Sequence, residues 1–259
     1  MSSLLFSLQG KRALVTGGTQ GIGAALSKGL AAAGAELVVN ARNPEKLKGF
    51  VEALRSSGIT AHGALFDITD PAAIDKAVTH IEETIGPIDI LVNNAGIIRR
   101  APAEHLSMED WQEVLLTDLT APFLLSKYAG SRMIRRRQGK IINICSLMSE
   151  LGRDSVTAYA AAKGGLKMLT RNLATEWAPY NIQVNGIGPG YIATPINTSY
   201  REAGNPLNDY IISRTPAGRW GTPEDLVGAA VFLASKAADF VNGQIIYVDG
   251  GLVTSFGKP

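Results

Sequence analysis

The sequence predicts an α/β fold: a single doubly wound domain, with about seven parallel strands in one sheet and helices on both faces. Short β-branched or apolar runs alternate with longer segments of helical spacing along all 259 residues. Alternating strands and helices favour right-handed crossovers, which make neighbouring strands parallel. No linker-like stretch and no internal repeat divides the chain, so one domain is the expected count.

Seven runs predict strands that are buried on both faces, because polar and apolar residues alternate only weakly within them. These runs are residues 12–16, 36–40, 61–66, 88–92, 140–145, 183–187 and 244–248. Helical spacing predicts helices over residues 22–33, 44–57, 71–85, 108–138, 158–178 and 223–234. Pro44, Pro71 and Pro223 stand in the first helical turn, where the missing N–H of proline costs nothing. Asp70 and Thr222 precede two of these prolines and are expected to be N-caps.

The composition excludes several classes of protein. With 46% hydrophobic and 19% charged residues, the chain is expected to fold rather than remain disordered. Its 25 basic and 23 acidic residues give a net charge of +2, which does not favour a nucleic-acid partner. No apolar run approaches the ~20 residues of a membrane span, and the first residues do not resemble a signal peptide. A lone Cys145 excludes an internal disulfide framework, so we expect a soluble, cytoplasmic protein with a small-molecule substrate.

A glycine-rich turn follows the first predicted strand and leads straight into an apolar helix. Glycine allows positive φ, lets the backbone approach a phosphate closely, and lets the helix pack tightly on the sheet. The helix N-terminus also offers unpaired N–H groups to an anion. Ordinary tight loops use the same residues, but this position favours a dinucleotide site of the Rossmann type. The predicted cofactor contacts are Gly17, Thr19, Gln20, Gly21, Ile22 and Gly23.

The end of the second strand indicates which dinucleotide binds. NAD-binding proteins place an acidic residue here for the ribose hydroxyls, whereas this chain has Asn40-Ala41-Arg42. Arg42 can make a charge-assisted contact with a 2′-phosphate, so NADP(H) is predicted in preference to NAD(H), with Asn40 beside it. The alternative is a solvated arginine in a surface loop.

Two further strand ends are expected at the same site. Asp67, followed by Ile68, could accept a hydrogen bond from an adenine amino group or could cap the next helix. The fourth strand closes with Asn93-Asn94-Ala95-Gly96. Small residues there leave room for a cofactor, and asparagine amides can bridge neighbouring strand backbones. Cofactor contacts are therefore predicted at Asn93, Ala95 and Gly96.

Ser146, Tyr159 and Lys163 are the predicted reacting residues. Ser146 follows the fifth strand, and Tyr159 and Lys163 are one helical turn apart, so they share one helix face. An ammonium about 5 Å from a phenol favours the phenolate by roughly 3 kcal/mol at an effective dielectric constant of ~20. Such a pair is suited to general acid–base chemistry. Each residue alone has an ordinary structural explanation, so the prediction rests on their combination.

These motifs together resemble the short-chain dehydrogenase/reductase family over essentially the whole chain. The matching residues are Thr16-Gly17-x-x-x-Gly21-x-Gly23, Asn93-Asn94-Ala95-Gly96, Ser146, Tyr159-x-x-x-Lys163 and Pro189-Gly190. The resemblance implies that Tyr159 exchanges a proton with the substrate oxygen while nicotinamide carries the hydride. It implies that Ser146 polarises the carbonyl and that Lys163 also bonds the nicotinamide ribose. It further implies cofactor contacts from Pro189, Gly190, Ile192 and Thr194.

Asp118 departs from the family pattern. Many members have an asparagine at this position, which holds a water in the proton relay. Aspartate can still accept a hydrogen bond from water or from Lys163, but it adds a charge and loses the amide donor. We expect either a relay with altered pH dependence or a purely structural role.

Three segments, residues 145–153, 186–191 and 214–221, most resemble the gluconate 5-dehydrogenases within this family, which interconvert gluconate and 5-ketogluconate. Arg99, Arg100 or Arg153 could pair with a substrate carboxylate, Glu150 could accept from sugar hydroxyls, and Ser146 would contact the carbonyl. These charges could equally lie on the rim and contact only water. The alternative is a 3-oxoacyl-thioester reductase or another ketone reductase, since a few loop changes alter the substrate.

Other classes of function are less well supported. A catalytically inactive, dinucleotide-binding regulatory module should lack one of Ser146, Tyr159 and Lys163, and the chain has all three. The basic run at residues 132–140 lies at a predicted helix C-terminus, where cations complement the dipole, and it lacks interleaved aromatics for base stacking. The three histidines have no metal-ligand spacing, so no metal is expected.

The two longest predicted helices, 108–138 and 158–178, are longer than one sheet face needs. Family members commonly pair these helices across a two-fold axis and use the last helix and strand for a second interface, so the resemblance implies a homotetramer. The segment 188–221 follows the sixth strand and is rich in Pro, Gly, Asn and Tyr. It is predicted to be irregular and to close over bound substrate as a lid.

Overall fold

A computed structural model describes residues 2–202 and 204–255 of the chain. Within these residues seven strands form one parallel sheet in the order β3-β2-β1-β4-β5-β6-β7, which confirms the predicted fold class. The strands are β1 Arg12–Val15, β2 Glu36–Ala41, β3 Ala61–Leu65, β4 Ile90–Asn93, β5 Gly139–Ile144, β6 Ile182–Pro189 and β7 Ile245–Val248.

Helices connect the strands and cover the sheet. They are α1 Ser2–Leu5, α2 Gly21–Ala32, α3 Pro44–Ser56, α4 Pro71–His80, α5 Met108–Leu115, α6 Ala121–Arg136, α7 Thr157–Trp177, α8 Pro206–Arg214 and α9 Val227–Ala234. A π turn at Ile81–Ile85 extends α4, and a 3-10 turn at Pro223–Leu226 precedes α9. Within residues 2–202 and 204–255, no helix is long and apolar enough to cross a membrane.

The hydrophobic core lies in two layers, one on each face of the sheet. Helices α2, α3 and α9 pack their apolar side chains on one face, against residues such as Val15 and Val39. Helices α4, α6 and α7 cover the other face, against residues such as Leu14 and Val38. Consecutive strand residues therefore point to opposite layers, and both layers are apolar because both faces are covered.

The expected helix starts are confirmed where the caps can be checked. Asp70 accepts hydrogen bonds from the backbone N–H groups of Ala72 and Ala73, at 2.8 and 3.2 Å. At the other predicted cap, the carboxylate of Asp225 accepts from the backbone N–H of Thr222 at 2.7 Å. These three bonds satisfy backbone donors at the helix starts.

The predicted helix over residues 108–138 is interrupted, which corrects the sequence-based expectation. A π turn at Leu116–Thr120 separates α5 from α6. Pro122 lies just inside α6, and it has no N–H to donate to the carbonyl of Asp118. The helix widens at this point instead of continuing regularly. Such π turns frequently occur at functional sites, and this one holds Asp118.

The segment 188–221 is more regular than the sequence predicts. It contains a 3-10 segment at Pro195–Arg201 as well as the helix α8. The side chain of Asn205 accepts from the backbone N–H of Leu207 at 3.0 Å and caps α8, whose first residue is Pro206. An N-cap followed by proline is the local signal that could have predicted this helix.

Strand order positions the site. The chain runs outwards from β1 to β3 and then returns to the other side of β1 with β4. In such sheets ligands bind in the crevice outside the carboxyl ends of the strands, at the point where the order reverses.

Candidate active site

A cleft of about 890 Å³ lies at the carboxyl edge of the sheet, a size in the usual range for small-molecule sites. The predicted residues that line it are Gly17, Thr19, Gln20, Gly21, Ile22, Gly23, Asn40, Arg42, Ile68, Ala95, Gly96, Arg99, Arg100, Asp118, Ser146, Arg153, Tyr159, Lys163, Pro189, Gly190, Ile192 and Thr194. Three predicted residues do not line it: Asp67, Asn93 and Glu150. The topology therefore brings motifs from six strand ends to one place.

The glycine-rich turn has the shape that a pyrophosphate needs. Gly17 and Gly21 have φ values of 59° and 51°, which favour glycine. A Cβ at Gly23 would lie 2.2 Å from the carbonyl oxygen of Gly17, so no other residue fits there without a shift of backbone. The first N–H groups of α2 face the turn without helical partners. Backbone donors at a helix start and the absence of side chains both fit the phosphates of a dinucleotide.

The two asparagines at the end of β4 have different positions from those predicted, because Asn94 lines the cleft and Asn93 does not. The amide nitrogen of Asn94 donates to the carbonyl oxygens of Thr16 and Gly17, at 2.9 and 3.2 Å, and fastens the glycine turn to β4. Asn93 points to the opposite layer, where its amide donates to Oδ1 of Asn143 at 2.8 Å. Its position does not support the predicted cofactor contact. Asn94 lines the cleft instead.

Arg42 lies at the open end of the cleft, beyond β2. Its side chain is 66% exposed, and its Nη1 atom is 3.7 Å from Oδ2 of Asp67. This loose pairing leaves most of the guanidinium available to an anion. Lys46, in the first turn of α3, also lines the cleft four residues further on. Sequence reasoning missed Lys46, although its spacing from Arg42 was visible.

Asp67 has local partners rather than a place in the cleft wall. Its Oδ1 atom accepts from the backbone N–H and the hydroxyl of Thr69, each at 2.8 Å. Although partial burial opposes them, these bonds and the nearby Arg42 hold the pKa of Asp67 below its usual range. The predicted adenine contact is therefore not supported by the side-chain position, whereas the following residues, Ile68 and Thr69, do line the cleft.

Lys163 is buried at the base of the cleft. Its Nζ atom donates to the carbonyl oxygen of Ile144 at 2.9 Å and lies 5.5 Å from the centroid of the Tyr159 ring. Nζ also lies 3.2 Å from Oδ2 of Asp118. Burial alone would lower the pKa of Lys163, but the charge of Asp118 and the neighbouring Tyr159 outweigh burial and the pKa is raised. The ammonium is thus held charged beside the phenol.

Asp118 is fully buried and faces Lys163 from the π turn. Its Oδ1 atom accepts from the backbone N–H of Ile97 at 2.8 Å. A Cβ at Gly96 would lie 2.8 Å from Oδ2, so the glycine leaves room for the carboxylate. Burial raises the pKa of Asp118, while the Lys163 ammonium opposes the shift. The carboxylate and the Lys163 ammonium therefore form a buried ion pair.

Ser146 begins the 3-10 turn Leu147–Ser149. Its Oγ atom accepts from the backbone N–H of Met148 at 3.1 Å, and the hydroxyl hydrogen stays available to an oxygen in the cleft. The preceding Cys145 is buried, and burial raises the pKa of its thiol to about 11. Cys145 is therefore a neutral thiol at physiological pH and not a nucleophile.

Arginines and aromatic residues form the outer part of the cleft. The Nη1 atom of Arg153 donates to the hydroxyl of Tyr191 at 3.0 Å, and its guanidinium carbon lies 5.7 Å from the centroid of the same ring. Trp220 packs edge-on against Tyr191, with ring centroids 5.7 Å apart. Arg100 is exposed, and no partner for it exists within residues 2–202 and 204–255. Arg99 is already engaged by Glu113, through bonds of 2.9 and 3.0 Å.

Glu150 points away from the cleft, contrary to the prediction. Its Oε1 atom accepts from Nζ of Lys167 at 2.5 Å and from the hydroxyl of Tyr247 at 2.9 Å. The hydrogen bond from Lys167 holds the pKa of Glu150 below its usual range. Its position does not support a contact with sugar hydroxyls.

The segment after β6 closes the site above the glycine turn. A Cβ at Gly21 would lie 3.5 Å from Cγ2 of Thr194, so Thr194 stands directly over that turn. The backbone N–H of Thr194 donates to Oδ1 of Asn197 at 3.0 Å, and the amide of Asn197 donates to the carbonyl of Ile192 at 2.8 Å. These bonds hold the loop in a defined shape.

The basic run at residues 132–140 is largely occupied by intramolecular contacts. Arg132 donates to Thr79, Arg136 to Glu82, Arg137 to the carbonyl of Pro179, and Lys140 to Asp239. This pattern fits a solvated structural face rather than a nucleic-acid interface. In the described part of the chain, no group of three His, Cys, Asp or Glu residues is arranged to hold a metal ion.

The sheet order, the glycine cradle and the buried lysine beside a tyrosine together define a nicotinamide-dependent oxidoreductase of the doubly wound class. Comparison with known proteins makes the assignment more specific. A family model described as Enoyl-(Acyl carrier protein) reductase matches residues 17–253. The chain belongs to the short-chain dehydrogenase/reductase family, as its motifs predict.

Relatives with functional names match along nearly their whole length. The 2-dehydro-3-deoxy-D-gluconate 5-dehydrogenase of Formosa agariphila is 55% identical, over 100% of this chain and 98% of that protein. The gluconate 5-dehydrogenase of Gluconobacter oxydans is 50% identical, over 97% of this chain and 98% of that protein. A gluconate 5-dehydrogenase from Burkholderia cenocepacia, crystallised with NADP and tartrate, is 45% identical with a TM-score of 0.95, covering 98% of this chain and 100% of that one.

Proposed function

We propose that this protein catalyses the NADP(H)-dependent interconversion of a hydroxyl and a ketone at carbon 5 of a gluconate-type sugar acid, with gluconate and 5-ketogluconate as the substrate pair. The observation that supports this most strongly is the set of side chains that line the cleft. Ser146, Tyr159 and Lys163 line one part of it, and two arginines, Arg100 and Arg153, line its outer part. A ketone and a carboxylate on one small molecule would each find a matching group.

The protein's own residues would manage the proton. A bound nicotinamide coenzyme supplies or accepts the hydride. In reduction, the hydroxyl of Tyr159 donates its proton to the carbonyl oxygen, while the Ser146 hydroxyl donates a hydrogen bond to the same oxygen. The Lys163 ammonium stabilises the phenolate that remains. In oxidation the phenolate takes the alcohol proton, and Ser146 keeps the oxygen in place.

Arg153 is the better of the two arginines for the substrate carboxylate. Its contact with Tyr191 fixes the guanidinium while leaving further N–H groups free to form a paired bond with a carboxylate. Arg100, which is exposed, can add a second charge. The tartrate held by the structural relative is a dicarboxylate, and a hydroxylated acid is what such a cleft would attract.

A second candidate substrate is 2-dehydro-3-deoxygluconate. It is favoured by the 55% identity to the enzyme named for it, which exceeds the identity to the gluconate enzymes by about five points. Both names specify carbon 5, so the reacting carbon and the carboxylate contact would be the same. The two candidates differ only at carbons 2 and 3.

A substrate panel tests the proposal. In the direction of reduction, NADPH oxidation is followed with 5-ketogluconate, an acetoacetyl thioester and bulky ketones. In the direction of oxidation, NADP reduction is followed with gluconate and 2-dehydro-3-deoxygluconate. We expect turnover of the sugar acids, inhibition by tartrate, and at least about a tenfold rise in the KM for the sugar acid in Arg153→Met, because a charge-assisted pair is lost. Efficient turnover of the thioester with none of the sugar acids would overturn the assignment.

Replacement of Arg42 should weaken the preference for NADPH. In Arg42→Ala we expect the ratio of kcat/KM for NADPH over that for NADH to fall by about ten- to a hundredfold, since a charged contact to phosphate contributes about 1.5–3 kcal/mol. Lys46 would preserve part of the preference, so Arg42→Ala combined with Lys46→Ala should lower it further. Equal kcat/KM for both coenzymes in the unchanged protein would contradict the proposal.

We further propose that the protein is a cytoplasmic homotetramer and that residues 188–221 act as a lid. Phe123 on α6 and Met168 on α7 expose 42% and 49% of their surface, as expected if these helices pair with a second copy. Ile196, which is 78% exposed, lies at the cleft mouth where a closing lid could bury it. Light scattering that gives the mass of one chain would contradict the tetramer, and fractionation outside the cytoplasm would contradict the location. A protease sensitivity of residues 188–221 that ligand does not change would contradict the lid.

A further inference from the structure

The turn that bears Ser146 is fastened to α7 by hydrogen bonds. The backbone N–H of Ser146 donates to Oγ of Ser149 at 3.3 Å, and that hydroxyl donates to the carbonyl oxygen of Lys163 at 2.9 Å. One end of the turn is thereby tied to the helix that carries Tyr159 and Lys163. Ser146 lies on one segment and Tyr159 and Lys163 lie on another. Catalysis by the three groups therefore requires that the distance between the Ser146 turn and α7 stay fixed.

Glu150 forms a second tie at the other end of the same turn. It accepts from Lys167, one helical turn after Lys163, and from Tyr247 on β7. The Tyr247 ring lies against the backbone of β6, because a Cβ at Gly188 would be 2.4 Å from it. Gly188 directly precedes Pro189 and Gly190, which line the cleft. The Glu150 carboxylate therefore links the Ser146 turn to α7 and, through Tyr247, to the end of β6 that lines the cleft.

We propose that Glu150, Lys167 and Tyr247 form a positioning network that holds the Ser146 hydroxyl in register with Tyr159 and Lys163. The proposal rests on the proposed oxidoreductase function. None of the three side chains lines the cleft, so they act through Ser146 rather than on substrate. The bonds differ from an ordinary surface ion pair because one acceptor atom receives donors from two separate elements. Lys167 is also mostly buried, with 14% of its side chain exposed, which limits screening.

Variants of the network separate positioning from substrate contact. Tyr247→Phe removes one hydroxyl, Lys167→Met removes one charge, and Glu150→Ala removes the shared acceptor, whereas Glu150→Gln keeps an acceptor oxygen. We expect kcat to fall about three- to tenfold in the first three, with unchanged KM for NADPH and partial recovery in Glu150→Gln. The double variant Glu150→Ala with Tyr247→Phe should have a kcat no lower than that of Glu150→Ala alone, since both changes break one network.

Matched controls are Tyr180→Phe and Asp239→Asn, which change a tyrosine and an ion-paired carboxylate at the opposite end of the sheet. Both should have the kcat of the wild type.

Hydrogen exchange gives a readout that does not depend on turnover. Backbone amides of residues 146–151 should exchange faster in Tyr247→Phe and Glu150→Ala than in the wild type or the controls, in the intact protein. If no sugar acid is turned over, the proposed function fails while this measurement still decides the network. Unchanged exchange and kcat would overturn the proposal. So would a raised KM for the sugar acid in Glu150→Ala with unchanged kcat and exchange, because that result means direct substrate contact.

Discussion

Tyr159→Phe should lower kcat by about a hundred- to ten-thousandfold, the usual contribution of a general acid–base group. The variant loses only the hydroxyl oxygen that would exchange a proton with the substrate. Its ring continues to pack against the small cluster of Val114, Ala158 and Ala162. The loss should therefore be chemical rather than structural. The measurement is single-turnover reduction of 5-ketogluconate, or of the best substrate in the panel, followed through NADPH absorbance.

Two observations would distinguish this outcome from general damage. NADPH binding, measured by its fluorescence, should remain within about threefold of wild type, because the phosphate cradle at Gly17, Gly21 and Gly23 is untouched. The thermal midpoint should also be nearly unchanged. Tyr180→Phe, at an exposed tyrosine outside the cleft and outside residues 188–221, provides the matched control. An undiminished rate in Tyr159→Phe would show that another group handles the proton.

Asp118→Leu should destabilise the protein by about 3–5 kcal/mol, the range observed when one partner of a buried ion pair is removed. The Lys163 ammonium would remain buried with only the carbonyl oxygen of Ile144 as partner, and the N–H of Ile97 would lose its acceptor. Asp118→Asn keeps an oxygen for Ile97 and similar volume, so it should recover part of that loss, while the Lys163 ammonium still lacks its counter-charge. Urea unfolding, followed by tryptophan fluorescence at fixed protein concentration, measures both changes.

The pH dependence provides a sharper test of Asp118. Burial raises the pKa of Asp118 above its value in the unfolded chain, so the folded protein binds that proton more tightly. The stability gained in this way is present below the ordinary carboxyl range and is lost as pH rises through the raised pKa. Asp118→Asn lacks this titration. The free energy of unfolding of wild type relative to Asp118→Asn should therefore decrease as pH rises from the ordinary carboxyl range through the raised pKa of Asp118. A difference that is constant, or that grows with pH, would contradict the assignment.

Local sequence patterns predicted most of the fold. Asp70 before Pro71 specified a helix start, and the structure has the cap in place. The glycine spacing between Gly17 and Gly23 predicted a tight strand-to-helix turn, and a Cβ at Gly23 would indeed meet backbone. Tyr159 and Lys163 share a helix face by their spacing alone. Each of these features depends on neighbours within a few residues, so a single sequence contains what is needed.

The errors came from features that depend on distant residues. Asn93 and Asn94 look equivalent in the sequence, but they point to opposite layers, and the partner of Asn93 is Asn143 on the neighbouring strand. Glu150 follows Ser146 closely, yet Tyr247, 97 residues away, and Lys167 draw it out of the cleft. The break in the predicted helix over 108–138 had a local sign in Pro122. The ion pair that the π turn at this break allows Asp118 to form depends on a distant residue, Lys163.

The sequence by itself determined the α/β class, the strand and helix order, the nicotinamide-dinucleotide motif and the Ser-Tyr-Lys set of this protein. Only the tertiary structure decided which asparagine faces the cleft, that Asp118 pairs with Lys163, and that Glu150 supports the Ser146 turn from outside. Helix periodicity, caps and tight turns arise from short-range sterics and hydrogen bonds along the chain. The direction of a polar side chain is set instead by whichever partner the packed sheet and helices bring within about 3 Å of it.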